Sequence, residues 1–98
     1  MEIICRIIEQ HPLQQKQYTD RQGQPQVFIG MGFTLASGSD TLYAELTGEE
    51  AMKQAGMPPA SKDYYYKLNL SCRIDSWDAQ DGTKRYGTRL YINKIAVL

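Results

Sequence analysis

Residues Arg73–Leu98, RIDSWDAQDGTKRYGTRLYINKIAVL, carry the clearest architectural signal in the chain. Asp78 to Thr83 is polar and contains the turn signal Asp81-Gly82, and the run from Lys84 to Leu98 reads as a strand. Upstream, Tyr66, Leu68, Leu70, Cys72 and Ile74 alternate with Tyr65, Lys67, Asn69, Ser71, Arg73 and Asp75, so Tyr64 to Trp77 reads as another. The last third is therefore expected to be a long antiparallel hairpin with one mostly polar face, and that face carries Lys67 and Arg73.

Working towards the N-terminus, Thr47-Gly48-Glu49-Glu50 has the Thr-x-x-Glu spacing of a capping box. Gly56, Pro58 and Pro59 supply the stop, which leaves room for a helix of about two turns. Before it, Gln26 to Ser37 and Thr41 to Leu46 alternate around the hairpin turn Gly38-Ser39-Asp40. Ile29, Met31, Phe33 and Leu35 share one face with Leu42, Ala44 and Leu46 as inward candidates, which sends Phe28, Gly30, Gly32 and Tyr43 outward. Two glycines on one face leave space for a close approach to the backbone. The polar segment His11 to Pro25 has breakers and no periodicity and reads as a long mobile loop. Glu2 to Glu9 reads as the first strand, with Ile3, Cys5 and Ile7 inward and Ile4, Arg6 and Ile8 outward.

Ninety-eight residues at 42% hydrophobic can bury one modest core, so residues 1–98 are expected to form one domain. Three strands, a short helix and two more strands fit an all-β chain, a five-stranded OB-fold barrel with the helix between strands three and four. Eleven basic and eleven acidic residues cancel. The charge is nevertheless polarised: Asp40, Glu45, Glu49 and Glu50 are the charges of one stretch, and Lys84, Arg85, Arg89 and Lys94 follow Gly82. With one His, two distant Cys and no carboxylate pair or phosphate-cradling loop at working spacing, the sequence is not read as an enzyme, and no cofactor or metal is expected. Cys5 and Cys72 are expected to face the core as reduced thiols. No run approaches the roughly 18 apolar residues of a membrane helix, and Met1 leads into a strand pattern, not a signal peptide, so no membrane partner and a cytoplasmic location are expected.

The C-terminal third also resembles the bacterial single-stranded DNA-binding protein family. There an Arg-bearing strand reaches a Trp, crosses a polar turn with a Gly, and continues through Arg-Tyr-x-Thr into a closing apolar strand. Arg73, Trp77, Gly82, Arg85, Tyr86 and Thr88 fall on that pattern, and Phe33-Thr34-Leu35-Ala36 resembles the family's Phe-Ser-Leu-Ala segment. Arg21-Gln22-Gly23-Gln24-Pro25 is similar to the Arg-Gln-Gly-Lys-Pro loop of the small filamentous-phage DNA-binding proteins, which are OB-fold homodimers. There are departures: Leu70 stands where the bacterial pattern has Gly, and Gln26 where the phage pattern has Tyr, with Phe28 on the same face as a substitute. The bacterial pattern runs on into a linker and an acidic tip. This sequence stops at Leu98, so recruitment through such a tip is not expected.

The resemblance implies sequence-nonspecific binding and protection of single-stranded DNA in replication, recombination, conjugation or phage growth. Such binding needs aromatic faces for unpaired bases and cations for phosphates. Phe28 and Tyr43 are the first stacking candidates, and Trp77 with Tyr86 form a second platform or pack across their hairpin. Arg73, Lys84, Arg85 and Arg89 are candidate phosphate contacts, and Lys16, Tyr18 and Arg21 would close over the strand from the first loop. His11 has no partner at ligand spacing and reads as a loop residue. The exposed Ile4 and Ile8 of the first strand are expected to join copies in a homo-oligomer. Alternatives are an OB-fold protein-interaction subunit of primosome type, which zero net charge permits, and an RNA-binding OB domain.

Overall fold

The computed structural model describes residues 1–98. Its elements, in chain order, are β1 (Glu2–Gln10), β2 (Gln14–Thr19), β3 (Pro25–Ser37), β4 (Asp40–Thr47), α1 (Gly48–Ala55), β5 (Tyr65–Asp78) and β6 (Lys84–Val97). The five expected strands are β1, β3, β4, β5 and β6. They close into a ring, because β1 pairs antiparallel with both β5 and β3, β5 with β6, and β3 with β4, while β4 and β6 meet in parallel. This is the OB-fold barrel, with α1 between β4 and β5 and packed on β3 and β4 through the buried Ala51.

Alternation fills the ring. Cys5 and Ile7 of β1, Met31, Phe33 and Leu35 of β3, Ala44 and Leu46 of β4, Tyr66, Leu68 and Leu70 of β5 and Ile92 of β6 form one core with Ala51. Cross-strand pairs hold it in register, among them Cys5↔Tyr66, Ile7↔Leu35, Phe33↔Ala44 and Leu70↔Ile92. Bulges at Ile8, which the β1–β3 register skips, and at Asn93, which the β5–β6 register skips, bend β1 and β6 around the curve. Ser37 pairs with Asp40, leaving Gly38-Ser39 as a two-residue turn that needs the positive φ of Gly38 (+61°). Ile4 and Ile8 point out of the ring and are exposed.

Four expectations change. The segment expected as a loop contains β2, whose Gln14–Thr19 pairs residue for residue with Pro25–Gly30 and turns β2 and the first half of β3 into an arm. Every residue of β2 is exposed, so the strand is held by backbone hydrogen bonds and has no apolar alternation to announce it. Cys72 is exposed, not in the core with Cys5. It has the inward parity of Leu70, but β5 runs on past the end of β1, whose last partner on it is Asn69, and leaves the barrel there in a ribbon with β6; Ile74, two residues on, is 80% exposed. No capping box forms: Thr47 stays in the ladder opposite Gly30 and makes no side-chain cap, and Gly48 at φ +62° turns the chain into the helix. The glutamates Glu49 and Glu50 still occupy the first turn, where the helix dipole favours them. Finally, Trp77 and Tyr86 form neither a shared platform nor a packed pair, because the register of β5 on β6 sets them on opposite faces of the ribbon.

Candidate nucleic-acid interface

On the outer face of β3 the side chains in order are Phe28, Gly30, Gly32 and Thr34. Both glycines are spaces that aromatic rings fill. A Cβ at Gly30 would lie 2.8 Å from the Phe28 ring, and a Cβ at Gly32 would collide with the ring of Tyr43, which reaches diagonally across from β4. The glycines thus leave the room on the outer face of the sheet that the Phe28 and Tyr43 rings occupy. Tyr43 is 55% exposed and Phe28 half-buried.

Around them lies a cleft of about 380 Å³ bounded by Gln14 and Lys16 of the arm, Glu45 of β4 and Thr88 and Arg89 of β6. A second cleft, about 420 Å³, lies against Phe28 and takes in Tyr18 of the arm with Arg73, Tyr91 and Asn93. A third, about 400 Å³, has Trp77, Asp75 and Gly87 on its wall and shares Thr88 and Arg89 with the first. The Trp77 ring rests on Gly87, 3.2 Å from where a Cβ would stand. Three glycines therefore seat three aromatic rings along one surface of the molecule.

The cations are partly engaged. Arg89 Nε forms an ion pair with Asp75 at 3.0 Å and Arg85 sits 3.6 Å from Asp81, both pairs well exposed. Exposed pairs of this kind contribute little and exchange readily for another anion. The Arg73 guanidinium lies 5.5 Å from the centre of the Tyr91 ring. Lys16, Arg21 and Lys84 form no ion pair. Asp20 fixes the arm's turn by accepting hydrogen bonds from the backbone N–H of Gln24 and Gln22 and from the Gln26 side chain, which hold its carboxyl below the usual range.

The expected residues thus separate. Lys16, Phe28, Tyr43 and Arg89 meet in the first cleft, Tyr18 and Arg73 join Phe28 at the second, and Trp77 joins Arg89 at the third. Arg21 lies in the turn at the tip of the arm, and Lys84 and Arg85 lie at the tip of the ribbon. Tyr86 is opposite Ser76, whereas Trp77 is opposite Arg85, so alternation puts the two aromatics on opposite faces of the ribbon. Neither goes inward: Trp77 is 51% and Tyr86 67% exposed.

Two further residues join the groove without having been expected there. Tyr91 has the outward parity of Arg73 and Arg89, a signal present in the alternation of β6. His11, read from its spacing as a loop residue, anchors the groove: its backbone N–H donates to Gly32 O at 2.9 Å, its Nε2 lies 2.9 Å from Thr34 Oγ1, and its ring is 5.8 Å from that of Tyr43. Nothing in its spacing reveals this, because the contact with Thr34 is made across 23 residues of chain.

The ring of strands, the helix position and the three clefts define an OB-fold barrel with an aromatic groove across its outer face. Over all of its length the chain is similar in structure to the mitochondrial single-stranded DNA-binding protein Rim1 of S. cerevisiae, at TM-score 0.54 and 15% sequence identity, covering 92% of that chain. A likeness at that identity is one of fold. No protein-family model matches the sequence, and no curated protein does.

Proposed function

We propose that the chain binds single-stranded DNA without strong sequence preference, along the groove formed by the three clefts. The observation that carries this reading is the placing of the Phe28 and Tyr43 rings over Gly30 and Gly32, in one cleft with Lys16 and Arg89. Accessible aromatic rings offer stacking surfaces to any base, and cations at their rim suit the phosphates between stacked bases. The structural neighbour is itself a single-stranded DNA-binding protein, which agrees with this reading. By binding the unpaired state the protein traps it and shifts melting towards it, while covering the strand. Replication, recombination, conjugation or phage growth are the settings such a protein serves, in the cytoplasm, and the outward Ile4 and Ile8 of β1 suit a homo-oligomer.

The test is a titration of Trp77 fluorescence with oligo-dT at two salt concentrations. Quenching at low salt and weaker binding as salt rises is the expected result, and no binding at low salt would refute the proposal. A protein-interaction role is the second reading, favoured by zero net charge and by the ion pairs that occupy Arg85 and Arg89. Absence of oligonucleotide binding would bring it to the front, and competition between matched DNA and RNA oligonucleotides decides between DNA and RNA.

A further inference from the structure

Glu45 is the one acid on the wall of the cleft that holds Phe28 and Tyr43. It stands on β4 opposite Gly32, and its Oε2 lies 3.5 Å from where a side chain at Gly30 would begin, beside the Phe28 ring that covers the same glycine. It is half-buried and forms no ion pair, since the nearby Arg89 is held by Asp75. In a groove that follows phosphates, such a group repels the strand's backbone. Within a DNA strand, hydrogen-bond donors for a carboxylate occur only on the base edges, because phosphate and deoxyribose offer acceptors alone. The edges differ in what they present. Guanine has two adjacent donors, N1–H and N2–H, that match the two carboxylate oxygens. Adenine and cytosine each have one amino group, and thymine has a single N3–H between two carbonyl oxygens.

We infer that Glu45 reads the Watson–Crick edge of a base stacked in this cleft and favours guanine there. The preference belongs to one station and lies over sequence-tolerant stacking elsewhere in the groove. It rests on the single-strand binding proposed above.

The test compares the affinity of the whole chain for three DNA oligonucleotides of equal length: all thymine, thymine with guanine at every third position, and the same with hypoxanthine, which keeps N1–H and lacks the N2 amino group. Guanine is expected to bind about tenfold tighter than thymine, the scale of a good two-point base contact, with hypoxanthine between them. In Glu45→Gln the spread should shrink to about twofold, while affinity for the thymine oligonucleotide rises as the opposing charge is removed. The variant is isosteric and on the outside of the barrel, so its urea midpoint should match the parent and serves as the folding control. Equal affinity of the parent for all three, or one common gain for all three in Glu45→Gln, overturns the inference and leaves the binding function standing. A loss of oligo-U RNA affinity in Glu45→Gln, with no guanine effect in DNA, assigns the contact to a ribose hydroxyl and likewise overturns it. If no oligonucleotide binds at low salt, the proposed function itself fails.

Discussion

Phe28 and Tyr43 show how a residue's use depends on what its neighbours lack. Each ring lies where a side chain would otherwise stand, over Gly30 and Gly32. Phe28→Ala and Tyr43→Ala should each weaken oligo-dT binding about tenfold, within the 1–3 kcal/mol that a stacked base contributes, while Tyr43→Phe keeps the ring and the affinity; anisotropy of a labelled oligonucleotide measures all three. The two cysteines diverge for a related reason. Burial pushes the Cys5 thiol above its ordinary value, whereas Cys72 is open to solvent. A thiol reagent added to the native protein should therefore modify Cys72 quickly and Cys5 only on unfolding. The sign of the pH effect follows. The unfolded chain gives up the Cys5 proton first, so the folded state binds more protons at alkaline pH, and stability that is full below the ordinary thiol range falls as pH rises through it. Urea midpoints from pH 7 to 10 should decline, and less so in Cys5→Ala.

Among the elements, β3 and β4 are the most legible in the sequence, because Met31, Phe33 and Leu35 face Ala44 and Leu46 with clean alternation across a turn whose Gly38 has the required backbone. The arm is not legible. Gln14 to Thr19 offers no apolar face, and only its pairing with Pro25–Gly30 makes it a strand. The ribbon of β5 and β6 misleads in the opposite way: its alternation is regular but extends past the core that gives alternation its meaning, so parity alone sends Cys72 inward, wrongly. The groove is half legible for the same reason. Parity puts Phe28 and Tyr43 outside, but it does not tell which cations a fold brings beside them, and nearness in sequence joins Trp77 to Tyr86 where the register puts them back to back. A strand of DNA touching one face of the ribbon cannot stack on both. Trp77→Ala, which removes the ring from the third cleft, should therefore weaken oligo-dT binding about tenfold, and Tyr86→Ala by less than about twofold; equal losses would refute this division of the ribbon.

The molecule as a whole is extended for its length, 43 × 30 × 20 Å, because the arm and the ribbon reach out from a barrel whose core is only 12 residues. That small core leaves apolar groups uncovered on the outside, Ile4 and Ile8 among them. If they join two copies, Ile4→Glu with Ile8→Glu should reduce the mass in sedimentation to that of one 11.2 kDa chain while circular dichroism stays unchanged. A parent protein that already sediments as a single chain would rule the oligomer out. Avidity gives a reason to look: two linked grooves hold a strand long enough to reach both far more tightly than either does alone.

The ring has one weak seam. β4 and β6 are joined only at Ala44↔Leu90 and Glu45↔Tyr91, and the residues on either side of that seam, Tyr43, Glu45, Arg89 and Leu90, line the first cleft. The barrel is therefore a belt whose buckle lies at the first cleft. Short pairings open at lower free energy than long ones, so those amides of Ala44 to Leu46 and Leu90 to Ile92 that point across the seam should exchange with deuterium before those of β1 and the paired half of β5. A bound strand lying across the cleft would fasten the buckle, and slowed exchange at those amides, with little change elsewhere, is the mark by which that closure can be seen.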